Sequence, residues 1–247
     1  MIQIERTQVF GWESAIRGMR NPMNSWDKSD SDYKTLDTGD ALIRSNDYII
    51  GPNDLKLMKN LSKAGPDHGK FLRMINVTCD INAPLYWWKE YDTYKVGTVA
   101  NSCSTMHKIH AKKFTMDDFS HEHLSEERDI CSLDCCSEDI LDVVIEALNN
   151  YRNLYLEADN KLKNRELTDA EIKHITAQRK RFWWKIIQLL PSSYNQKRTV
   201  QLNYQVLKSM YNARKSHKLD EWHDFCAWCE TLPYFEEICL GGDGNER

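Results

Sequence analysis

The sequence predicts an α+β fold, and two observations predict it. A helical period of about 3.6 residues runs through most of the second half of the chain, whereas the alternation typical of strands is confined to the first half. The 247 residues are 41% hydrophobic and 28% charged, which suits one large domain or two small ones with a sizeable core. We therefore expect a single domain over residues 1–247 with a helical C-terminal half.

The N-terminal part of the chain predicts a strand, two helices and a long loop. The segment IQIERTQVF alternates well enough for a strand, and WESAIRGMR predicts a short helix that ends before Pro22. Residues 25–50 are mostly polar or acidic, and a loop is expected there. The segment GPNDLKLMKNLSKAG predicts a helix that begins at Pro52 and ends at Gly65.

The middle of the chain supplies the best strand. In KFLRMINVTCDINAP, apolar residues alternate with polar ones up to Ala83-Pro84. An aromatic-rich helix, APLYWWKEYDTY, follows, and the polar loop KVGTVANSCSTMHK comes next. Residues 110–136 are charged and are expected to be irregular.

The C-terminal half predicts a series of helices. The segment SEDILDVVIEALNNYRNLYLEADNKL keeps a helical period, and residues 168–171, TDAE, form a capping box that opens the next helix. That helix ends at Leu190-Pro191, and two more helices are expected at about residues 198–215 and 219–239.

The composition argues against several classes of protein. A net charge of −4 does not provide the excess of basic residues that binding to duplex nucleic acid requires. No apolar stretch reaches the roughly 18–20 residues of a membrane span, and the N-terminus lacks signal-peptide features. A cytoplasmic location with reduced thiols is therefore expected. The eight Trp and eleven Tyr favour packed aromatic surfaces, although KRFWW and LYWWKEY could also stack on single-stranded nucleic acid.

The cysteines raise a metal hypothesis that their spacing does not favour. Cys131, Cys135 and Cys136 cluster, and Cys226 and Cys229 form a CxxC. The CxxC lies in a helical segment, where both thiols are expected to pack as small apolar groups, and no metal is predicted. Separately, Cys103 and His107 could generate a thiolate nucleophile, but chance proximity is the favoured interpretation.

One predicted helix, TVQLNYQVLKSMYNARKSHK, carries the most informative polar residues. Spacings of four, three and four place Asn203, Leu207, Met210 and Arg214 on one face. Arg214 could cap backbone carbonyls or extend to water. Alternatively, its planar donor fork could bind a carbonyl or a phosphate of a ligand.

The order of segments resembles that of the flavin-dependent thymidylate synthases, which methylate dUMP using FAD and methylenetetrahydrofolate. The resemblance covers about residues 55–108 and 186–230. In the first region, a helix ending in Gly is followed by a strand ending in Ala-Pro, an aromatic helix and a polar loop. In the second region, Leu-Pro is followed by a helix that contains the pair Leu-Asn and ends in Arg, and then by the segment HKLDEW. The resemblance implies an antiparallel-rich sheet flanked by long helices and a homotetramer whose active sites are built between subunits.

The arginine signature of that family, RHR followed by a serine and a further arginine, is not retained. Counted from Ala83-Pro84, the five signature positions fall on Thr93, Tyr94, Lys95, Cys103 and Thr105. Of these residues, only Lys95 is positively charged. The family's glutamine on the aromatic helix falls on Glu90. Lost charge-assisted bonds to phosphate would each weaken binding by about 1.5–3 kcal/mol.

The resemblance nevertheless implies a set of site residues. Arg214 corresponds to the arginine that contacts the pyrimidine and is the expected catalytic residue, whereas Lys95, Asn203 and His217 are expected at the cofactor. The expected nucleotide-binding residues are Arg17, Arg20, Glu90, Lys95, Ser102, Cys103, Ser104, Thr105 and Arg214. For Arg17 and Arg20, a solvated helix face is the alternative.

The implied function is that of a divergent, FAD-dependent methyltransferase of the thymidylate synthase type that acts on a dUMP-like pyrimidine nucleotide. FAD and methylenetetrahydrofolate are the implied cofactors. The missing arginines leave a second hypothesis open, namely a catalytically inactive protein that binds, sequesters or senses a nucleotide on the same scaffold. A third is a scaffold protein whose aromatic residues serve assembly.

Overall fold

The computed structural model describes residues 2–37, 42–124 and 137–241, and it has the α+β architecture that the sequence predicts. The strands are β1 (Gln3–Phe10), β2 (Asp32–Asp37), β3 (Leu42–Ile49), β4 (Asn76–Pro84), β5 (Val99–Ser102) and β6 (Asn195–Asn203). The helices are α1 (Trp12–Arg20), α2 (Pro52–Lys63), α3 (Leu85–Tyr91), α4 (Ser137–Lys161), α5 (Asp169–Leu189), α6 (Tyr204–Arg214) and α7 (Asp220–Glu230). No helix in this part of the chain combines the length and apolarity needed to cross a bilayer.

Four strands form one sheet in the order β1-β4-β6-β5, and β2 pairs with β3 in a separate antiparallel ribbon. The ribbon corrects the loop expected over residues 25–50. Its register pairs Tyr33 with Tyr48, whose rings meet edge to face at 4.8 Å. Cross-strand pairing therefore defines this ribbon. Because the segment is mostly polar, hydrophobic alternation does not predict its strands.

The predicted β4 strand begins later than expected. Its inward positions Val77, Cys79 and Ile81, together with Ile75 just before the strand, are fully or almost fully buried, which confirms the alternation. The preceding Gly69–Arg73 segment forms a short 3-10 turn in place of strand.

The predicted helix at about residues 198–215 is half wrong. Its first part is strand β6, in which Val200 and Leu202 are buried, and α6 begins only at Tyr204. Asn203 is consequently the N-cap of α6, and its Oδ1 accepts a hydrogen bond from the Val206 N–H at 3.1 Å. The last predicted helix is also shorter, since α7 ends at Glu230 and a π-helical turn follows at Glu236–Leu240.

The chain divides into two compact units, each assembled from separate segments. The first unit contains Asn82–Glu90 and Ser102–Arg198, and the second unit contains Ile2–Ile81, Tyr91–Asn101 and Thr199–Arg247. The single-domain organisation over residues 1–247 stays a prediction.

The first unit is built around the long helices α4 and α5, which pack along one another. Phe114, Phe119, Leu148 and Ile186 lie in its core. The capping box at the start of α5 is confirmed, because the Thr168 N–H donates to Glu171 Oε2 at 2.8 Å and the Glu171 N–H donates to Thr168 Oγ1 at 3.3 Å. Between residues 111 and 124 the only helical turn is the short Met116–Asp118 segment, as the irregular composition indicates.

Aromatic side chains fill the core of the second unit. Tyr204 lies edge to face with Trp12 and with Phe235, each at 5.4 Å between ring centroids. Trp222 and Phe225 are fully buried and meet in the same way. These rings fix the start of α6 and the adjoining face of α7.

Candidate functional site

Arg214 is the last residue of α6, and its side chain contacts two aromatic rings of the second unit. Its Nε donates a hydrogen bond to the Tyr94 hydroxyl at 2.9 Å. Its Cζ lies 5.5 Å from the ring centroid of Tyr94 and 4.9 Å from that of Trp222. The two rings are themselves 6.3 Å apart, edge to face, so that the guanidinium lies beside both of them. The position of the guanidinium is therefore constrained.

The sequence explains why Arg214 reaches this place. Leu207 and Met210 are fully buried, and they anchor one face of α6 in the aromatic core. Arg214 follows Met210 by four residues and so lies on the same side of the helix. The helical face expected from the sequence is thus present, although Asn203 takes part in it as an N-cap.

His217 lies beside this group in the turn that connects α6 to α7. Its ring centroid is 6.3 Å from that of Trp222, and its Nδ1 accepts a hydrogen bond from the Leu219 N–H at 3.2 Å. Its backbone N–H donates to the Arg214 carbonyl at 2.9 Å. The structure therefore brings Arg214 and His217 together, while the cofactor-binding role of His217 stays a prediction.

A cleft of about 450 Å³ opens at the start of α6, within the second unit. Tyr94, Lys95 and Gly97 line one side, and Arg73, Asn203 and Val206 complete it. Neither Lys95 nor Arg73 forms an ion pair with any residue in the described part of the chain. Within the described part of the chain, these two cations give the cleft a positive electrostatic character. The start of α6 adds little, because the N–H groups of Tyr204 and Val206 already donate to the Ile75 carbonyl and to Asn203 Oδ1.

Gly97 sets the distance between the loop and α6. Its φ of +79° lies in the left-handed region, which disfavours side chains. A Cβ at this position would come 2.9 Å from Val206 Cγ2 and 3.1 Å from Asn203 Nδ2. The glycine therefore permits the close approach that places Tyr94 and Lys95 at the cleft.

The first unit holds five of the predicted nucleotide-binding residues. Ser102, Cys103 and Ser104 are exposed, whereas Glu90 and Thr105 are half-buried. The Cys103 N–H donates to the Lys197 carbonyl at 3.0 Å, which ties the loop to β6. Ser104 Oγ accepts a hydrogen bond from the His107 N–H at 2.9 Å and so stabilises the following turn. The ligand-binding roles of these residues stay predictions.

Arg198, also in the first unit, is a residue that the sequence analysis missed. Its Cζ lies 4.1 Å from the ring centroid of Trp88, and its Nε donates to Gln196 Oε1 at 3.0 Å. The Gln196 side chain in turn donates to the Cys103 carbonyl at 2.8 Å. A strand assignment for residues 195–203 would have placed Gln196, Arg198 and Val200 on one face, which is the signal that could have revealed this group.

Arg20, one of the expected nucleotide-binding residues, is only 4% exposed. Its Nε donates to Asp54 Oδ1 at 2.6 Å, and its terminal nitrogens donate to the carbonyls of Ser25 at 3.1 Å and Lys28 at 2.9 Å. Every nitrogen of its guanidinium thus has an acceptor inside the second unit, which argues against a ligand-binding role. Arg17 is exposed, and its role stays a prediction.

Asp54 receives more than the Arg20 guanidinium. The hydroxyls of Ser29 and Ser31 each donate to its Oδ2 at 2.7 Å. Burial alone would raise the pKa of Asp54, but the hydrogen bonds from Ser31, Ser29 and Arg20 outweigh burial and hold the pKa below its ordinary value. Arg20 and Asp54 therefore form a buried ion pair that fastens residues 25–31 to the start of α2.

Four of the five cysteines in the described residues are buried packing groups, whereas Cys103 is exposed. Cys226 and Cys229 are buried in α7, as expected, and burial raises the pKa of the Cys226 thiol to about 11. Among residues 2–37, 42–124 and 137–241, no three His, Cys, Asp or Glu side chains converge as a metal site. Cys131, Cys135 and Cys136 lie outside the described residues.

No protein-family model and no curated protein sequence matches the chain. Solved structures do match it. A structure of thymidylate synthase X (ThyX) from Helicobacter pylori with FAD and dUMP has a TM-score of 0.60 at 15% identity, covering 98% of each chain. A second structure of the flavin-dependent H. pylori enzyme, complexed with FAD and dUMP, has a TM-score of 0.59 at 16% identity, covering 97% of this chain and 98% of the other.

The UMP/dUMP methylase PolB from Streptomyces cacaoi, bound with 5-Br dUMP, is also similar. Its TM-score is 0.51 at 15% identity, covering 98% of this chain and 95% of PolB. At these identities the similarity concerns the fold. The chain therefore has a divergent fold of the flavin-dependent thymidylate synthase type, as the resemblance implies.

Proposed function

We propose that the protein binds a pyrimidine nucleotide of the dUMP type on its thymidylate-synthase-like scaffold, with Arg214 at the base. The observation that carries this proposal is the guanidinium of Arg214, which is held in contact with both Tyr94 and Trp222. A guanidinium is a planar fork of donors that fits the carbonyl acceptors of a uracil ring. Because its orientation is already constrained, little conformational entropy is lost when it binds.

The cleft at the start of α6 supports a phosphate-bearing ligand. Lys95 and Arg73 line it without an ion-pair partner in the described part of the chain, and their charge would attract an anion. These two side chains would take over part of the task of the missing signature arginines, at about 1.5–3 kcal/mol for each charge-assisted bond.

We also propose FAD as a ligand of this protein, with the same cleft as part of its binding site. Lys95 would meet a phosphate, and the close approach at Gly97 lets the polar edge of Asn203 lie at the surface of the cleft. FAD, when bound, would supply redox chemistry, with methylenetetrahydrofolate as the source of the one-carbon unit. The residues of this chain would orient the base, and Arg214 would polarise a carbonyl of the pyrimidine.

Binding without turnover is the second candidate function. It is favoured by the signature positions Thr93, Tyr94, Cys103 and Thr105, none of which carries a positive charge. On this alternative, the protein sequesters or senses a pyrimidine nucleotide, and Arg214 serves recognition alone. Retention of yellow FAD after purification, followed by a test for conversion of dUMP to dTMP, separates the two candidates.

Calorimetric titration with dUMP tests the binding proposal directly. We expect Arg214→Gln to raise the Kd for dUMP about 10- to 100-fold, because a charge-assisted hydrogen bond at the base is lost. Arg165→Gln is the matched control, since Arg165 is exposed in the first unit and should leave the Kd unchanged. Failure of the wild-type protein to bind dUMP or dTMP at millimolar concentration would rule out the proposal.

A homotetrameric assembly is a further part of the proposal, taken from the resemblance. Trp184 and Leu189 on α5 are 44% and 45% exposed, which supports an apolar contact surface on the first unit. Sedimentation velocity on the purified protein distinguishes a tetramer from a monomer. The cytoplasmic location stays a prediction.

A further inference from the structure

Tyr94 holds Arg214 in place through both its hydroxyl and its ring. The hydroxyl accepts the hydrogen bond from Arg214 Nε at 2.9 Å, and the ring centroid lies 5.5 Å from Arg214 Cζ. A hydrogen bond at Nε restricts rotation about the end of the side chain, and the contact with the ring restricts its position. Tyr94 and Trp222 therefore both contribute to the direction in which the guanidinium fork points.

The backbone of Tyr94 is itself held firmly. Its N–H donates to the Tyr91 carbonyl at 3.0 Å, and its carbonyl accepts a hydrogen bond from the Thr98 hydroxyl. Gly97 then brings the loop against Val206 and Asn203 of the α6 N-terminus. The phenol is half-buried and lines the same cleft as Lys95. Its hydroxyl is thus a rigid reference point for Arg214 within the second unit.

We propose that Tyr94 is a positioning residue that makes Arg214 select uracil over cytosine bases. The inference rests on the proposed function, namely that Arg214 contacts the pyrimidine, and it adds that the contact is made at the base edge that carries the 4-substituent. Uracil has a carbonyl acceptor at position 4, whereas cytosine has an amino donor there. A guanidinium has donors only, so it can hydrogen-bond the uracil carbonyl but not the cytosine amino group.

Rigidity turns this difference into selectivity. A guanidinium that can swing away would let cytosine bind and lose only one favourable contact. A guanidinium held by Tyr94 cannot withdraw, so a cytosine amino group faces donors without acceptors and both sides lose hydrogen bonds. The loss of the Tyr94 hydroxyl should therefore weaken the binding of the uracil nucleotide and relax the exclusion of the cytosine nucleotide.

The competing explanation is that Tyr94 only packs against Arg214 and supports the loop. Tyr94→Phe separates the two, because it keeps the ring under the guanidinium and removes only the hydroxyl. A purely structural role predicts that the Kd values for dUMP and dCMP rise by the same factor. A positioning role predicts that the ratio between them falls.

The experiment measures the Kd values for dUMP and dCMP by calorimetry on the wild-type protein, Tyr94→Phe and Tyr211→Phe. Tyr211 is the matched control. It lies on α6, and its hydroxyl donates to Glu230 Oε1 at 2.6 Å. We expect Tyr94→Phe to raise the Kd for dUMP about tenfold and to lower the preference for dUMP over dCMP by at least that factor, as the loss of one charge-assisted hydrogen bond implies. Tyr211→Phe should change neither.

A ligand-free measurement keeps this inference distinct from the proposed function. In protein labelled with ¹⁵N-arginine, the Nε–H signal of Arg214 is identified by its loss in Arg214→Lys. We expect its exchange with solvent to be about tenfold faster in Tyr94→Phe, because the hydroxyl acceptor is gone. Wild-type protein that binds neither nucleotide contradicts the proposed function and the selectivity together. An unchanged dUMP-to-dCMP ratio in a Tyr94→Phe protein that still binds dUMP, or an unchanged exchange rate, overturns the role of Tyr94 alone.

Discussion

Arg20 and Arg214 lie in the same unit, both were expected at the nucleotide, and their surroundings differ in kind. Arg20 is buried against the carboxylate of Asp54 and two backbone carbonyls, so each of its nitrogens has an acceptor. Arg214 is half-buried and held by two ring contacts and one hydroxyl. An aromatic face contributes to the orientation of a guanidinium, whereas a buried carboxylate also neutralises its charge.

The difference teaches how to separate a structural arginine from a binding arginine. The pair of Arg20 and Asp54 serves the fold, because it joins residues 25–31 to α2 by hydrogen bonds in which every partner is intramolecular. For the group around Arg214 we propose instead a ligand with planar acceptors. Substitutions at the first group should therefore affect stability, and those at the second should affect binding.

The largest effect is expected from Asp54→Ala. It would leave the charge of Arg20 buried without its carboxylate, and the free energy of unfolding should fall by about 3–5 kcal/mol. Urea unfolding followed by circular dichroism measures the change. Asp67→Ala is the control, since Asp67 is exposed, and it should stay within about 0.5 kcal/mol of the wild type. A loss below about 1 kcal/mol for Asp54→Ala would remove the contrast between the two arginines.

A pH titration removes part of the same stabilisation without a large substitution. The pKa of Asp54 is lower in the folded state than its ordinary value, so its contribution is present above the unfolded pKa of about 3.9 and is lost as the pH falls through the folded pKa. We expect the free energy of unfolding to decrease between pH 5 and pH 2. In Asp54→Asn this part of the slope should be absent, and an identical slope in both proteins would contradict the role of the carboxylate.

Gly97→Ala should act on the surroundings of Arg214. A left-handed φ costs a residue with a side chain about 1–2 kcal/mol, and the added methyl group would lie too close to Val206. We expect a loss of stability of about that size, together with a higher Kd for dUMP because Tyr94 and Lys95 are displaced. Gly65→Ala is the matched control, since its φ is +109° but no atom lies near the added methyl group. Equal effects of the two substitutions on dUMP binding would show that close approach at Gly97 is unimportant.

The smallest effect on stability is expected at Arg214 itself. Contacts between a guanidinium and aromatic rings at partly exposed sites contribute about 0.5–1 kcal/mol, so Arg214→Gln should lower the free energy of unfolding by about that amount. The same urea titration measures it. This small loss, set beside a large loss of dUMP affinity, would complete the contrast with Asp54→Ala. A loss of more than about 3 kcal/mol would make Arg214 a structural residue like Arg20.

Much of the fold was predictable because local patterns determine it. The helices α1, α2, α4 and α5 have helical spacing, start signals and stop signals within their own segments, and the alternating core positions of β4 are equally local. The sequence also placed Leu207, Met210 and Arg214 on one helical face, and this face survives although the helix begins later than expected.

Tertiary structure decided what depends on distant parts of the chain. The β2–β3 ribbon and strand β6 are defined by their pairing partners, which a polar or helix-compatible segment does not reveal. The burial of Arg20 depends on Asp54, 34 positions away, and the orientation of Arg214 depends on Tyr94, 120 positions away. The sequence by itself indicated most of the candidate nucleotide-binding residues, but not Arg73. Only the folded chain decided that the guanidinium of Arg20 is occupied internally and that the guanidinium of Arg214 lies against Tyr94 and Trp222, because an arginine's surroundings depend on the acceptors and rings that tertiary packing brings to it.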